Sequence, residues 1–175
     1  RVRIVLDVLD DVRRRYAIDP DRTYIGGFSG GGRMACAIAF SLPEHFGGVV
    51  PVCAAGDLRD ETWLRHRVQA RLSVAHLTGE KDFNRGEIER FRGPLLGDVG
   101  VRSKVWTIDG LGHSMPGAST LDAAYRWLEE GVKTRQRFAE DFPASRADSK
   151  SAFSRDEFAA ALAAEAKQRT AKPST

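Results

Sequence analysis

A serine, an aspartate and a histidine each follow an apolar, strand-like stretch of this sequence. These residues are Ser29, Asp82 and His113. A serine hydroxyl is a poor nucleophile near neutral pH, so a base has to take its proton during attack. An imidazole can take that proton, and a carboxylate can hold the ring in the correct tautomer. The order of the three residues along the chain therefore predicts nucleophilic catalysis by a serine.

Ser29 stands in the middle of Gly-Phe-Ser-Gly-Gly, residues 27–31, where a strand-like stretch gives way to a helix-like one. A residue at such a junction occupies a sharp, strained turn, and glycines on both sides relieve the crowding. The turn lifts the hydroxyl above the sheet edge. The N–H of Gly30 is then the predicted donor of one hydrogen bond to an oxyanion. A glycine-rich loop that is merely a tight turn is the alternative interpretation of this pattern.

The acid and the base both have competitors elsewhere in the sequence. Glu80 lies two residues before Asp82, and Asp109 also flanks a strand end. The remaining histidines lie after a helix end, in a charged segment and within a strand, and they are His45, His66 and His76. None of these histidines is in a loop suited to catalysis. His113 is therefore the predicted base, and Asp82 the predicted acid with Glu80 as its alternative.

Strand-like and helix-like stretches alternate along most of the chain. The predicted strands are residues 23–28, 47–54, 72–77 and 102–108. An amphipathic helix precedes the first of them, and further helices are predicted at residues 31–40, 60–68, 85–96 and 120–130. The helix from residue 85 is expected to end near Gly93-Pro94 or near Gly97. Short, nearly all-apolar strands separated by helices predict an α/β protein with a mostly parallel sheet covered on both faces. Ligands of such sheets collect at the carboxyl ends of the strands, where the three reactive residues lie.

Composition predicts one domain followed by a tail. The chain has 175 residues, 42% of them hydrophobic, and a net charge of +3. Up to Glu130 the acidic and basic residues balance at 18 each, and the basic excess of 9 over 6 falls after that point. We expect a folded part over residues 1–131 and a charged, Ala-rich tail, helical or disordered, over residues 132–175. No concentrated basic face indicates nucleic-acid binding, and no apolar run approaches the ~20 residues of a membrane span.

The sequence predicts neither a metal nor a cofactor. Its two cysteines, Cys36 and Cys53, allow at most one disulfide, and we expect both to be buried free thiols. The cysteines and histidines do not follow a spacing typical of metal ligands. Among the tryptophans, Trp106 and Trp127 are expected in the core, whereas Trp63 is a candidate substrate contact.

The motifs together resemble those of the α/β-hydrolase superfamily. They are the Gly-x-Ser-x-Gly of residues 27–31, the Gly-Glu-Lys-Asp of residues 79–82 and the Gly-Leu-Gly-His-Ser of residues 110–114. The chain is most similar to small esterases and depolymerases related to feruloyl esterase and polyhydroxybutyrate depolymerase. Residues 18–24, Ile-Asp-Pro-Asp-Arg-Thr-Tyr, are typical of these enzymes and of prolyl-oligopeptidase-like hydrolases. The resemblance covers residues 2–130 and identifies a superfamily rather than a substrate.

This resemblance implies a serine hydrolase that cleaves carboxylic esters, of small molecules or polymers, through an acyl-enzyme. The implied triad is Ser29, Asp82 and His113, with Gly30 in the oxyanion hole. A prolyl-oligopeptidase-like serine peptidase and a non-catalytic binding module of the same fold are the alternatives. Because one helix alone precedes the serine turn, the chain resembles the C-terminal half of such an enzyme, without its N-terminal strands and second oxyanion donor. The cellular location stays open.

Overall fold

A computed structural model describes residues 2–58, 62–97 and 99–143 of the chain. The described residues divide into two compact units, one of residues 2–17 and one of residues 18–58, 62–97 and 99–143. In the first unit, helix α1 spans Val2–Arg15 and carries three arginines in its last turn. Cations there interact favourably with the partial negative charge at a helix C-terminus. Arg15 also pairs with Asp11 one turn earlier, at 2.9 Å.

The second unit is built on a four-stranded parallel sheet in the order β1-β2-β3-β4. The strands are β1 (Tyr24–Phe28), β2 (Gly48–Val52), β3 (Ser73–Gly79) and β4 (Arg102–Ile108). The connecting and following helices are α2 (Gly30–Ser41), α3 (Thr62–Arg71), α4 (Arg85–Phe91), α5 (Ala118–Glu130) and α6 (Val132–Asp141). The predicted α/β class, parallel sheet and flanking helices are confirmed. The carboxyl ends of all four strands lie at the same end of the sheet, which we call its carboxyl edge, because every strand runs in the same direction.

Burial distinguishes the two central strands from the two outer ones. Every residue of β2 and β3 is buried, whereas β1 and β4 alternate between partly buried and exposed positions. Strands covered on both faces are mostly apolar, as β2 is throughout, whereas β3 also buries the polar residues Ser73, His76 and Thr78. Helix α5 contributes Ala124 and Leu128 to the core cluster, against which the predicted core residues Trp106 and Trp127 pack.

A buried cluster of charged residues lies at the amino ends of the strands, which form the opposite edge of the sheet. Asp21, which precedes β1, pairs with Arg71 at the end of α3, and both side chains are almost completely buried. Arg135 of α6 donates to the backbone carbonyl of Asp21 at 2.9 Å and to that of Leu128 at 3.0 Å. The first ten residues of the expected tail therefore form a helix attached to the body. Residues 144–175 of that tail lie outside the described residues.

Two helices differ in detail from their predictions. The helix predicted from Arg85 is α-helical as far as Phe91 and continues as a π-helical segment, Arg92–Gly97, so that it ends at the later of its two predicted limits. Pro94 lies within this segment and has no N–H to donate to the carbonyl four residues earlier. The helix expected to be exposed over residues 60–68 extends to Arg71, and it buries Val68 and Arg71.

Within the described residues, no helix combines the length and the apolar character that crossing a membrane requires.

Candidate active site

Ser29 occupies the junction between β1 and α2. Its backbone has φ 51° and ψ −119°, and it is one of two non-glycine residues with positive φ in the described chain. The Ser29 N–H donates to the carbonyl of Val52 on the neighbouring strand, at 2.8 Å. Its carbonyl accepts from the N–H groups of Gly32 and Arg33, at 2.9 and 3.2 Å. The serine is thus held in a strained turn at the carboxyl end of β1.

Glycine is required at two positions around Ser29, because neighbouring atoms leave no room there for a Cβ atom. A Cβ on Gly27 would lie 2.5 Å from the carbonyl oxygen of Gly31, and one on Gly32 would lie 2.9 Å from the Cβ of Ala54. By contrast, a Cβ on Gly30 or Gly31 would meet no atom within 4 Å. The sterically important pair is therefore Gly27 and Gly32, not the Gly27 and Gly31 of the sequence motif. As the first residue of α2, Gly30 has an N–H without an intrahelical acceptor.

Asp82 and His113 form a hydrogen-bonded pair. The Nδ1 atom of His113 lies 2.8 Å from Oδ1 of Asp82, whose residue is only 6% exposed. Asp82 Oδ2 accepts from the Thr78 hydroxyl at 2.7 Å, and Oδ1 accepts from the Asn84 N–H at 3.0 Å. Burial by itself raises the pKa of Asp82. The hydrogen bonds from Asn84, His113, Thr78 and Cys53 outweigh burial, so the net effect is a lowered pKa. Asp82 is therefore held as a carboxylate beside the imidazole.

The two loops that carry this pair are bound to each other. The Glu80 carboxylate accepts from the Gly110 N–H at 2.9 Å, and the Lys81 N–H donates to the Leu111 carbonyl at 2.9 Å. Gly79 also lies so close to Leu111 that a Cβ would overlap its carbonyl group. Glu80, the alternative acid, therefore binds the backbone of the β4–α5 loop, and Asp82 faces His113.

Aromatic rings fix the position of the His113 imidazole. Phe83 stacks on it with ring centroids 4.1 Å apart and planes at 27°, and Phe28 lies 4.8 Å away at 48°. The Phe83 residue itself is 78% exposed, while the His113 side chain is 18% exposed. The imidazole is thus partly accessible, and aromatic contacts limit its rotation.

The structure places Ser29 at the same end of the sheet as the Asp82–His113 pair. Phe28, the residue before Ser29, contacts the His113 ring. Among the described residues, however, the Ser29 hydroxyl has no hydrogen bond to His113. Catalytic hydrogen bonds are often long before substrate binds. The assigned roles of Ser29, Gly30, Asp82 and His113 stay predictions.

Cys53 is a site residue that the sequence interpretation missed. It follows β2, has φ 51° like Ser29, and is completely buried. Its Sγ lies 3.5 Å from the Ser114 carbonyl, and its own carbonyl accepts from the Asn84 side chain at 3.0 Å. Burial, together with a hydrogen bond and the charge of Asp82, raises the pKa of Cys53 to about 11. Its position at a strand's carboxyl end was the available signal, since the three predicted residues share it.

The remaining candidates lie away from this edge or outside the described side chains. Cys36 is buried in α2 and free, as is Cys53, which matches the expectation of two buried thiols. His76 is buried within β3, and burial lowers its pKa to about 4. The side chain of Trp63, the proposed substrate contact, is outside the described part of the structure.

Known proteins share this fold. A model of the prolyl oligopeptidase family matches residues 3–80, which include Ser29. A carboxylesterase from Bacillus cereus is 20% identical over 74% of this chain and 59% of its own, with a TM-score of 0.55. Esterase PE8 is 23% identical over 73% of this chain and 58% of its own, with a TM-score of 0.54. Arabidopsis thaliana SOBER1 is 21% identical over 77% and 62%, with a TM-score of 0.50. No curated protein sequence matches the chain.

These likenesses define the fold of the chain. The chain carries part of an α/β-hydrolase fold, and the superfamily resemblance of its motifs is confirmed at the level of fold. It spans 58% to 62% of the length of these three structures. At such low identity the likeness establishes architecture, whereas activity has to be inferred from the site.

Proposed function

We propose that the protein is a serine hydrolase that cleaves carboxylic esters through an acyl-enzyme. The observation that carries this proposal is the 2.8 Å contact between Asp82 and His113, at the sheet edge where Ser29 occupies its strained turn. On this proposal, three neighbouring strand ends supply the nucleophile, the base and the acid that acyl transfer needs. Small-molecule or polymer esters are the proposed substrates.

The proposed reaction begins with attack of the Ser29 Oγ on the ester carbonyl carbon. His113 takes the hydroxyl proton at Nε2, while its Nδ1–H donates to Asp82, whose lowered pKa keeps it anionic. The Gly30 N–H donates to the oxyanion that forms on the carbonyl oxygen. His113 then returns the proton to the leaving alkoxide, and the bond between carbonyl carbon and alkoxide oxygen breaks. Water, deprotonated by His113, hydrolyses the acyl-enzyme in the same way.

A serine peptidase is the second candidate. The match of residues 3–80 to the prolyl oligopeptidase family favours it, because that stretch contains the proposed nucleophile. The same three residues would serve, with an amine in place of the alkoxide as leaving group. The esterase structures, which match about three quarters of the chain, favour the ester.

Kinetics with two chromogenic substrates separate these candidates. We expect the protein to hydrolyse p-nitrophenyl acetate with a burst of p-nitrophenol, the sign of an accumulating acyl-enzyme, and not to cleave a prolyl p-nitroanilide. Ser29→Ala should abolish turnover, and the control Ser114→Ala, whose side chain is not part of the proposed triad, should retain it. Faster anilide cleavage would favour the peptidase. Equal activity of the Ser29→Ala variant would refute both.

A further inference from the structure

Three side chains of chemically different metal-binding types, one of them the proposed base, lie close together at the carboxyl ends of the strands. The Cys53 Sγ, an Asp82 carboxylate oxygen and a His113 ring nitrogen all lie within 4.8 Å of one another. Each comes from a different loop at the carboxyl edge of the sheet, so no sequence spacing reveals the set. Thiolate, imidazole and carboxylate together are the ligands that zinc takes in proteins.

The distances between these atoms are close to those of a zinc site. Zinc bonds of about 2.0–2.3 Å in tetrahedral geometry place the ligand atoms roughly 3.3–3.8 Å apart. The ligand atoms are at most 4.8 Å apart, so the longest distance between two of them has to shorten by about 1.5 Å at most. The contact between His113 Nδ1 and Asp82 Oδ1, now 2.8 Å, has to widen by about half an ångström.

The surroundings also suit a bound cation. The Thr78 hydroxyl, 2.7 Å from Asp82 Oδ2, and the Asn84 N–H, 3.0 Å from Oδ1, would orient the carboxylate from behind. Cys53 and Asp82 are buried, and the His113 side chain is 18% exposed. An ion would therefore enter past the imidazole and keep its fourth position for water.

We propose that Cys53, Asp82 and His113 form an inhibitory site for a thiophilic divalent cation, of which Zn²⁺ is the best fit. Binding replaces the thiol proton of Cys53, which is released to solvent. The ion bonds to Nδ1, so the single proton of the neutral imidazole moves to Nε2. A protonated Nε2 cannot accept the Ser29 proton, and the serine stays inactive. This inhibition depends on the proposed hydrolase function, whereas binding of the metal does not.

Cobalt provides a readout that is independent of catalysis. Titration of the protein with Co²⁺ should produce a thiolate-to-cobalt charge-transfer absorbance in the wild type and in the control Cys36→Ala, whose thiol is not among the three ligands. Cys53→Ser should lose that absorbance. If this variant does not fold, Cys53→Gly takes its place, because glycine adopts the left-handed backbone of this position without strain. An unchanged absorbance without Cys53, or none in the wild type, overturns the proposal.

Zinc titration of the esterase activity tests the inhibitory effect. We expect wild type and Cys36→Ala to be inhibited alike. Removal of the Cys53 ligand should weaken inhibition by more than the about 10- to 100-fold that loss of an outer-shell partner typically costs. Equal inhibition with and without Cys53 contradicts the proposal. If no variant hydrolyses esters, the proposed function fails, and the cobalt spectrum still decides whether the metal site exists.

Discussion

At the scale of single residues, the proposed catalysis depends on which carboxylate faces the base. Asp82 and Glu80 are two positions apart, and the sequence alone left both as candidates. The structure pairs Asp82 with His113 and directs Glu80 to the backbone N–H of Gly110. One carboxylate therefore acts on the imidazole, and the other holds the loop that carries it.

Asp82→Asn tests this division. The amide can stabilise neither the correct tautomer nor the imidazolium, so we expect kcat for p-nitrophenyl acetate to fall by about 10⁴-fold. Glu80→Gln is the matched control, since its amide oxygen can still accept from Gly110, and its kcat should stay close to that of the wild type. A larger loss in the glutamine variant than in the asparagine variant would transfer the acid role to Glu80.

At the scale of elements, the strand–helix turn at Ser29 is shaped by neighbouring backbone. Gly27 is in close contact with the first turn of α2, and Gly32 with Ala54 after β2, while Gly31 has open space around its Cα. The motif correctly marked the turn, but it could not show which glycine is needed. That depends on how closely the helix approaches β2, a tertiary contact.

Alanine substitutions distinguish these glycines. Gly27→Ala forces backbone to move and should lower the free energy of unfolding by about 1–3 kcal/mol. Gly31→Ala adds a methyl group in open space within a helix, so that free energy should stay the same or rise by up to about 1 kcal/mol. Urea unfolding of both variants beside the wild type measures the difference. A greater loss at Gly31 would contradict the described turn.

The charged cluster at the opposite edge joins three elements. Asp21→Asn would leave the guanidinium of Arg71 buried without its counter-ion, which typically costs about 3–5 kcal/mol. The control Asp122→Asn breaks an exposed pair with Arg126 and should cost less than about 1 kcal/mol. Chemical denaturation tests both, and equal small losses would show that the cluster contributes little to stability.

At the scale of the whole molecule, burial of His76 links stability to pH. Its pKa is about 4 in the folded protein, against 6.5 for an ordinary histidine. The unfolded chain therefore binds the proton more strongly, and stability is lost as pH falls from 6.5 towards 4. The difference corresponds to about 3 kcal/mol. The lowered pKa of Asp82 acts in the same direction, but at still lower pH.

Urea unfolding at several pH values between 7 and 4 measures this dependence. The wild type should lose stability steadily across that window, and His76→Leu should show a much flatter profile, because it removes the group that titrates. An equally steep profile in the leucine variant would assign the effect to other residues.

The fold was predictable from the sequence because its signals are local. Apolar runs and turn residues placed all four strands within two residues of their observed bounds, and β4 was predicted without error. The alternation of strands and helices predicted a parallel sheet. It therefore also placed Ser29, Asp82 and His113 together at the carboxyl ends of the strands. What the sequence could not provide was the orientation of side chains across that edge. The approach of Cys53 to Asp82 and the aromatic contacts of His113 depend on the paths of three separate loops.

Covalent labelling tests whether Ser29 is a nucleophile activated by His113 and Asp82. The protein is treated with a fluorophosphonate, and the adduct is located by peptide mapping in a mass spectrometer. We expect a single adduct on Ser29, formed rapidly in the wild type and much more slowly in His113→Ala and Asp82→Asn. An adduct on another residue, or labelling of Ser29 at the same rate in all three proteins, would overturn this mechanism.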